Sequence, residues 1–125
     1  MNCVLFNARS LKNKLPELHH FLYTSNVDCV FITETWLNNS VSDRMLDPND
    51  EFIIFRKYRP DFSGGGVCAV VRKSLNAKRV CVERLNAYVD ILGLDVICSR
   101  SSYRFFVVYR PPDSSRVYEN IGSQD

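Results

Sequence analysis

Blocks of apolar residues, each ending on a polar side chain, set out the elements of this chain. The first block, Cys-Val-Leu-Phe at 3–6, stops at Asn7. Between 12 and 26, Leu15, Leu18, Phe21 and Leu22 fall on one face of a helix, and Pro16 suits its first turn. A second β-rich block at 28–33 stops at Glu34. Strand, helix, strand predicts a βαβ unit with parallel, well-buried strands.

The pattern then changes. Residues 38–50 are polar and read as a loop. Residues 51–58 alternate loosely and read as a strand, 59–63 as a turn, and Gly64-Gly65-Gly66 lead into a strand at 67–71. Further strands are predicted at 78–84, 88–97 and 103–109, the last stopping at Arg110-Pro111-Pro112. One helix amid many strands predicts a strand-rich, layered α/β protein. The triplet Tyr-Arg-Pro occurs at 58–60 and 109–111 with nothing shared around it, so it marks no repeat.

Composition narrows this only a little. The 125 residues suffice for one compact domain, taken as 1–113 with a polar tail at 114–125. An apolar fraction of 46% supports a core, which argues against disorder. A net charge of +2 neither demands nor excludes a nucleic-acid partner. Cysteines at 3, 29, 68, 81 and 98 are odd in number and form no Cys-x-x-Cys pair. They read as reduced core residues of an intracellular protein, nuclear or cytoplasmic. No apolar run reaches membrane-spanning length.

Three apolar strands end in residues with chemistry: Asn7, Glu34 and Tyr109. Sites in α/β sheets gather at the carboxyl ends of strands, and a βαβ connection puts Asn7 and Glu34 on the same rim. An amide and a carboxylate are oxygen donors suited to a hard cation such as Mg²⁺. Spacing alone favours a plainer arrangement, with Asn7 opening a turn and Glu34 a solvated strand end.

Four segments occur in a familiar order: FNARSLKNKLPELHHFL, VDCVFITETWL, SGGGVCAVVRKSL and FFVVYRPP. In this they resemble the amino-terminal half of endonuclease/exonuclease/phosphatase domains, most closely the endonuclease of LINE-type non-LTR retrotransposons. The likeness runs from about residue 4 to 113. It implies a partial, truncated four-layer α/β sandwich of the deoxyribonuclease I-like kind. The implied activity is Mg²⁺-dependent (or Mn²⁺-dependent) hydrolysis of DNA phosphodiesters. Asn7 would help bind the scissile phosphate, Glu34 would ligate the metal, and Tyr109 would hydrogen-bond the phosphate. Arg9 and Arg110 would contact flanking phosphates, a role that competes with plain surface arginine.

The resemblance also implies what is missing. The GDFN-type and SDH-type motifs of such domains do not occur among these residues. The chain would then supply about one sheet's share and one helix, leave apolar strand faces exposed, and catalyse weakly or not at all. A non-catalytic binding module and a hydrolase of smaller phosphoesters are the competing functions.

Other features read plainly. Arg56, Lys57 and Arg59 form a solvated basic turn. Adjacent histidines 19 and 20 diverge around a helix, so they are exposed or packing residues. The glycine triplet precedes a strand and lacks the Lys-Ser/Thr of a phosphate loop. Trp36 reads as a packing residue of the core.

Overall fold

The computed structural model describes residues 1–57, 65–82 and 89–110. The turn at 59–63, Arg59, Gly64, the end of the 78–84 strand, residue 88, both prolines after Arg110 and the 114–125 tail lie outside them.

The chain opens with β1 (Cys3–Asn7), a short 3₁₀ turn (Leu11–Lys14), α1 (Leu15–Thr24) and β2 (Cys29–Thr33). β1 and β2 pair in parallel, with Asn7 opposite Thr33, as a βαβ unit requires. α2 (Asp43–Leu46), β3 (Phe52–Lys57) and β4 (Val67–Arg72) follow, and β4 is antiparallel to both β2 and β3. These four strands form one sheet in the order β1-β2-β4-β3. β5 (Asn76–Val80), β6 (Asp90–Cys98) and β7 (Ser101–Tyr109) form a second, antiparallel sheet in that order.

The described residues therefore form a strand-rich, mixed α/β structure with two sheets. Alternation along each strand decides what lies between the layers. Val30 and Ile32 of β2, with Cys68 and Val70 of β4, face Leu18 and Leu22 of α1. Cys29, Phe31, Val67, Ala69 and Val71 point the other way and meet Leu92, Leu94, Val96 and Val107 of the second sheet. β2 and nearly all of β4 are buried on both faces, which explains why they read as unbroken apolar runs.

Several expectations need correction. The chain supplies strands to two packed sheets, not one sheet's share. A periodicity of two marks which side of a strand is apolar, but not which sheet the strand joins. β1 is not well buried: among the described residues it is an edge strand, and Cys3, Leu5 and Asn7 are exposed. Leu5, Phe106 and Val108 are indeed left exposed, and Leu5 lines an open groove of about 250 Å³ with Phe31, Phe105 and Val107. The 38–50 loop contains α2, because Val41 and Leu46 bury fully and the Ser42 hydroxyl accepts from the Met45 N–H at 3.2 Å.

Arg56 is not part of a solvated turn. Its guanidinium donates to the carbonyls of Val41 at 2.6 Å and Asn38 at 2.8 Å, and to Asp43 at 3.2 Å, fastening the 38–43 segment to β3. Of the five free cysteines only Cys29 and Cys68 are buried; Cys3 and Cys81 are exposed and Cys98 is intermediate. Cys98 ends β6, and Cys3 takes a solvent-facing place on an edge strand, so an apolar neighbourhood in sequence did not bury them. Burial pushes the Cys68 thiol up to about 12, which keeps it protonated and inert. Among the described residues no helix is long and apolar enough to cross a membrane.

A polar clasp ties α1 to β3. The Tyr23 hydroxyl donates to Asp47 Oδ1 at 2.5 Å, while Asp47 Oδ2 accepts the Phe52 N–H at 2.8 Å. Burial, then the bond to Asp47, pushes the Tyr23 hydroxyl up to about 12. A raised phenol pKa means the folded state holds the proton more tightly than the unfolded chain does. Its stabilisation is complete below the ordinary value of 10.0 and is lost as pH rises through about 12. Urea denaturation across that window should show a steeper loss of stability for the wild type than for Tyr23→Phe. Parallel curves would remove the clasp from the account.

Candidate active site

Both sheets deliver a strand end to one rim of the sandwich. β1 ends at Asn7, β2 runs out into Glu34, and β7 ends at Tyr109. Asn7 shares a strand face with Leu5, the side turned toward the second sheet, and is exposed. Tyr109 lies on the inward face of β7 with Phe105 and Val107. Its hydroxyl donates to Glu34 Oε1, which joins residues 75 positions apart in the chain.

The backbone here departs from regular strand geometry. Glu34 has φ 50°, and Arg9, Ser10 and Trp36 are also in the left-handed region at 48°, 80° and 54°. Non-glycine residues seldom adopt it, and such positions cluster where the surroundings over-determine them. The surroundings here are hydrogen bonds. The N–H groups of Ala8, Ser10 and Leu11 donate to the carbonyls of Thr33, Glu34 and Thr35 at 2.9, 3.0 and 2.9 Å. On the other side, the N–H groups of Thr35 and Trp36 donate to the carbonyls of Gly66 and Gly65 at 3.3 and 2.9 Å. The Glu34 segment is thus clamped between the bend after β1 and the turn before β4.

Gly65 and Gly66 have φ 72° and 88°, a backbone only glycine adopts freely. They lead directly into β4; the rest of the expected turn lies outside the described residues. Asp90 holds this turn from the second sheet: it is 2% exposed and its Oδ2 accepts the Gly66 N–H at 2.9 Å. Asp90 sits opposite Tyr109 in the β6–β7 register, so it supports both halves of the rim. The motif reading passed over it. An acidic residue inside the apolar stretch at 88–97 was the available signal, since a buried carboxylate needs partners.

The electrostatics suit a neutral tyrosine beside a carboxylate. Burial, the bond to Glu34 and the negative charges of Glu34 and Asp90 push the Tyr109 hydroxyl up to about 12, with Arg9 pulling the other way. Its neighbours Ala8 and Ser10 bond the carbonyls of Thr33 and Glu34, which sets the Arg9 backbone beside the site. Arg9 is exposed, and so is Arg110, one residue past Tyr109. Among the described residues no hydrogen bond or ion pair joins Arg110 to Glu34, Asn7 or Tyr109. The structure brings Asn7, Glu34, Tyr109 and Arg9 to one rim and leaves Arg110 at its margin.

Trp36 was expected in the core and is instead 47% exposed. Its neighbours Thr35 and Leu37 took the buried positions, at 1% and 4%, and local alternation then turns the indole outward. The histidines match their expectation: His19 Nε2 lies 2.7 Å from the Met45 carbonyl and His20 is exposed.

Among the described residues no three His, Cys, Asp or Glu side chains converge. Zinc, which needs three or four such ligands, does not fit. Mg²⁺ asks less, since one or two carboxylates with water and substrate phosphate complete its six oxygens. The Glu34 carboxylate and the Asn7 amide are a donor set of that kind. Comparison with known proteins is silent: no family model and no curated protein matches this chain.

Proposed function

We propose that this chain carries part of a divalent-metal-dependent phosphodiesterase site acting on DNA. The proposed fold is a partial deoxyribonuclease I-like sandwich, nearest the endonucleases of LINE-type non-LTR retrotransposons. The observation that carries the reading is the Tyr109–Glu34 hydrogen bond. It joins two of the motifs behind the resemblance at one rim, on strands of different sheets.

Each residue has a physical task. Glu34, with Asn7 beside it, would hold Mg²⁺ (or Mn²⁺), which when bound neutralises charge developing on the phosphoryl oxygens. Tyr109 is kept protonated; its single O–H donor orients the Glu34 carboxylate and would turn to a bound phosphate in its place. Arg9 adds a positive charge at the margin, where phosphates flanking the cut bond would lie. Nothing among these residues is an evident general base for the attacking water, so slow turnover is expected.

Conversion of supercoiled plasmid to open circle tests the reading, with Mg²⁺, Mn²⁺ and EDTA compared. Slow nicking that requires a metal is the expected result. No nicking with either ion, together with no Mn²⁺ binding by electron paramagnetic resonance, would overturn it. Hydrolysis of a small aryl phosphodiester without nicking would move the substrate class to smaller phosphoesters. The exposed Leu5, Phe106 and Val108 favour a second reading, a non-catalytic binding module whose partner covers those apolar positions. Metal-dependent nicking would exclude it.

A further inference from the structure

Around Glu34 the chain alternates buried, exposed, buried. Thr35 is 1% exposed, Trp36 47% and Leu37 4%. The Leu37 N–H donates to the Thr35 hydroxyl at 3.4 Å, and the Trp36 N–H donates to the Gly65 carbonyl at 2.9 Å. Two buried neighbours and a backbone bond thus hold the tryptophan on a short, rigid pedestal. A single exposed apolar side chain is ordinary on a protein surface. This one differs because its backbone sits at φ 54°, which bulky residues rarely adopt. The fold keeps that conformation while leaving about half of its largest aromatic group exposed, although burial of an indole is strongly favourable.

The neighbours indicate what an exposed indole here would meet. Glu34 is two residues away, a reach of roughly 7 Å along the chain. Arg9, between two residues whose N–H groups bond the carbonyls of Thr33 and Glu34, is likewise exposed and at φ 48°. The segments that meet at this rim thus carry a guanidinium, a carboxylate bonded to a tyrosyl hydroxyl, and an exposed indole. A guanidinium suits phosphate, and a flat aromatic face suits a base. Bases along one strand follow one another every ~3.4 Å, so a base flanking a phosphate at Glu34 lies within the reach of Trp36.

We propose that Trp36 is a stacking platform for an unpaired or unstacked nucleobase next to the phosphate held at Glu34 and Arg9. This rests on the nuclease reading above. Stacking on an aromatic face tolerates any base, so Trp36 would raise affinity and favour exposed or distorted DNA over a regular duplex. It would not read sequence.

Trp36 is the chain's only tryptophan, so intrinsic fluorescence reports this contact directly. The probe is a short single-stranded, adenine-rich deoxyoligonucleotide with Mg²⁺, and binding is followed separately by anisotropy of a labelled strand. Saturation should quench the Trp36 emission. Trp36→Ala should weaken binding roughly tenfold, and Trp36→Phe should stay within about threefold of the wild type, since phenylalanine keeps a stacking face. Anisotropy that shows binding, without quenching and with Trp36→Ala equal to wild type, overturns the platform and leaves the nuclease reading standing. No binding of single strand or duplex by the wild type overturns both.

Discussion

Replacing Glu34 with Gln is expected to lower metal-dependent plasmid nicking by at least about 100-fold, the scale seen when a group stabilising transition-state charge is removed. The substitution isolates charge from shape. Gln keeps the length of the side chain and an oxygen able to accept from the Tyr109 hydroxyl, so the rim should hold its arrangement. What is lost is the full negative charge that a hard cation requires. Mn²⁺ binding by electron paramagnetic resonance should fall in parallel. Tyr109→Phe should have a smaller effect, because it loosens the carboxylate without discharging it. Nicking by Glu34→Gln at the wild-type rate would falsify the metal-ligand role.

The largest effect on stability is expected for Leu94→Ala. Leu94 lies in the middle strand of the second sheet, is 0% exposed, and packs in the layer shared with Phe31, Ala69 and Val71 of the first. Truncation removes the transfer free energy of the side chain and leaves a cavity that facing strands fill poorly, a loss of about 3–5 kcal/mol. Domains of this kind have a stability of roughly 5–15 kcal/mol, so the urea midpoint should drop sharply with little change in slope. Ile97→Ala serves as the comparison. Ile97 is on the outer face of the same strand and 43% exposed, and its truncation should cost under about 1 kcal/mol. Equal losses at the two positions would mean that the sheets do not pack face to face as described.

Much of the element plan was legible before any coordinates. β1, β2, β4, β6 and β7 fall within a few residues of the apolar runs that predicted them. β2 and β4 read clearly because both their faces are buried, which leaves no polar position to interrupt the run. β5 was displaced, since Asn76–Val80 is largely exposed and carries little apolar signal. α2 was hidden because a helix of four residues has no period to detect. The rim was half legible. A polar residue ending an apolar strand marks a sheet edge, and that sufficed for Asn7, Glu34 and Tyr109. Asp90 went unread and Trp36 was misplaced for one reason, that burial is a tertiary property. The carboxylate went inside because the Gly66 N–H partners it, and the indole went outside because its two neighbours filled the core.

The sequence by itself determined the strand–helix–strand start, the parallel pairing it implies, and which residues lie at strand ends. Those follow from periodicity and chain connectivity, which act over a few residues to a few tens. Only the tertiary structure decided that the strands divide between two sheets, that β1 is an edge, and that Tyr109 reaches Glu34 from the opposite sheet. Such pairings depend on how whole faces pack. No local pattern records which distant strand will supply the partner that a buried donor or acceptor needs.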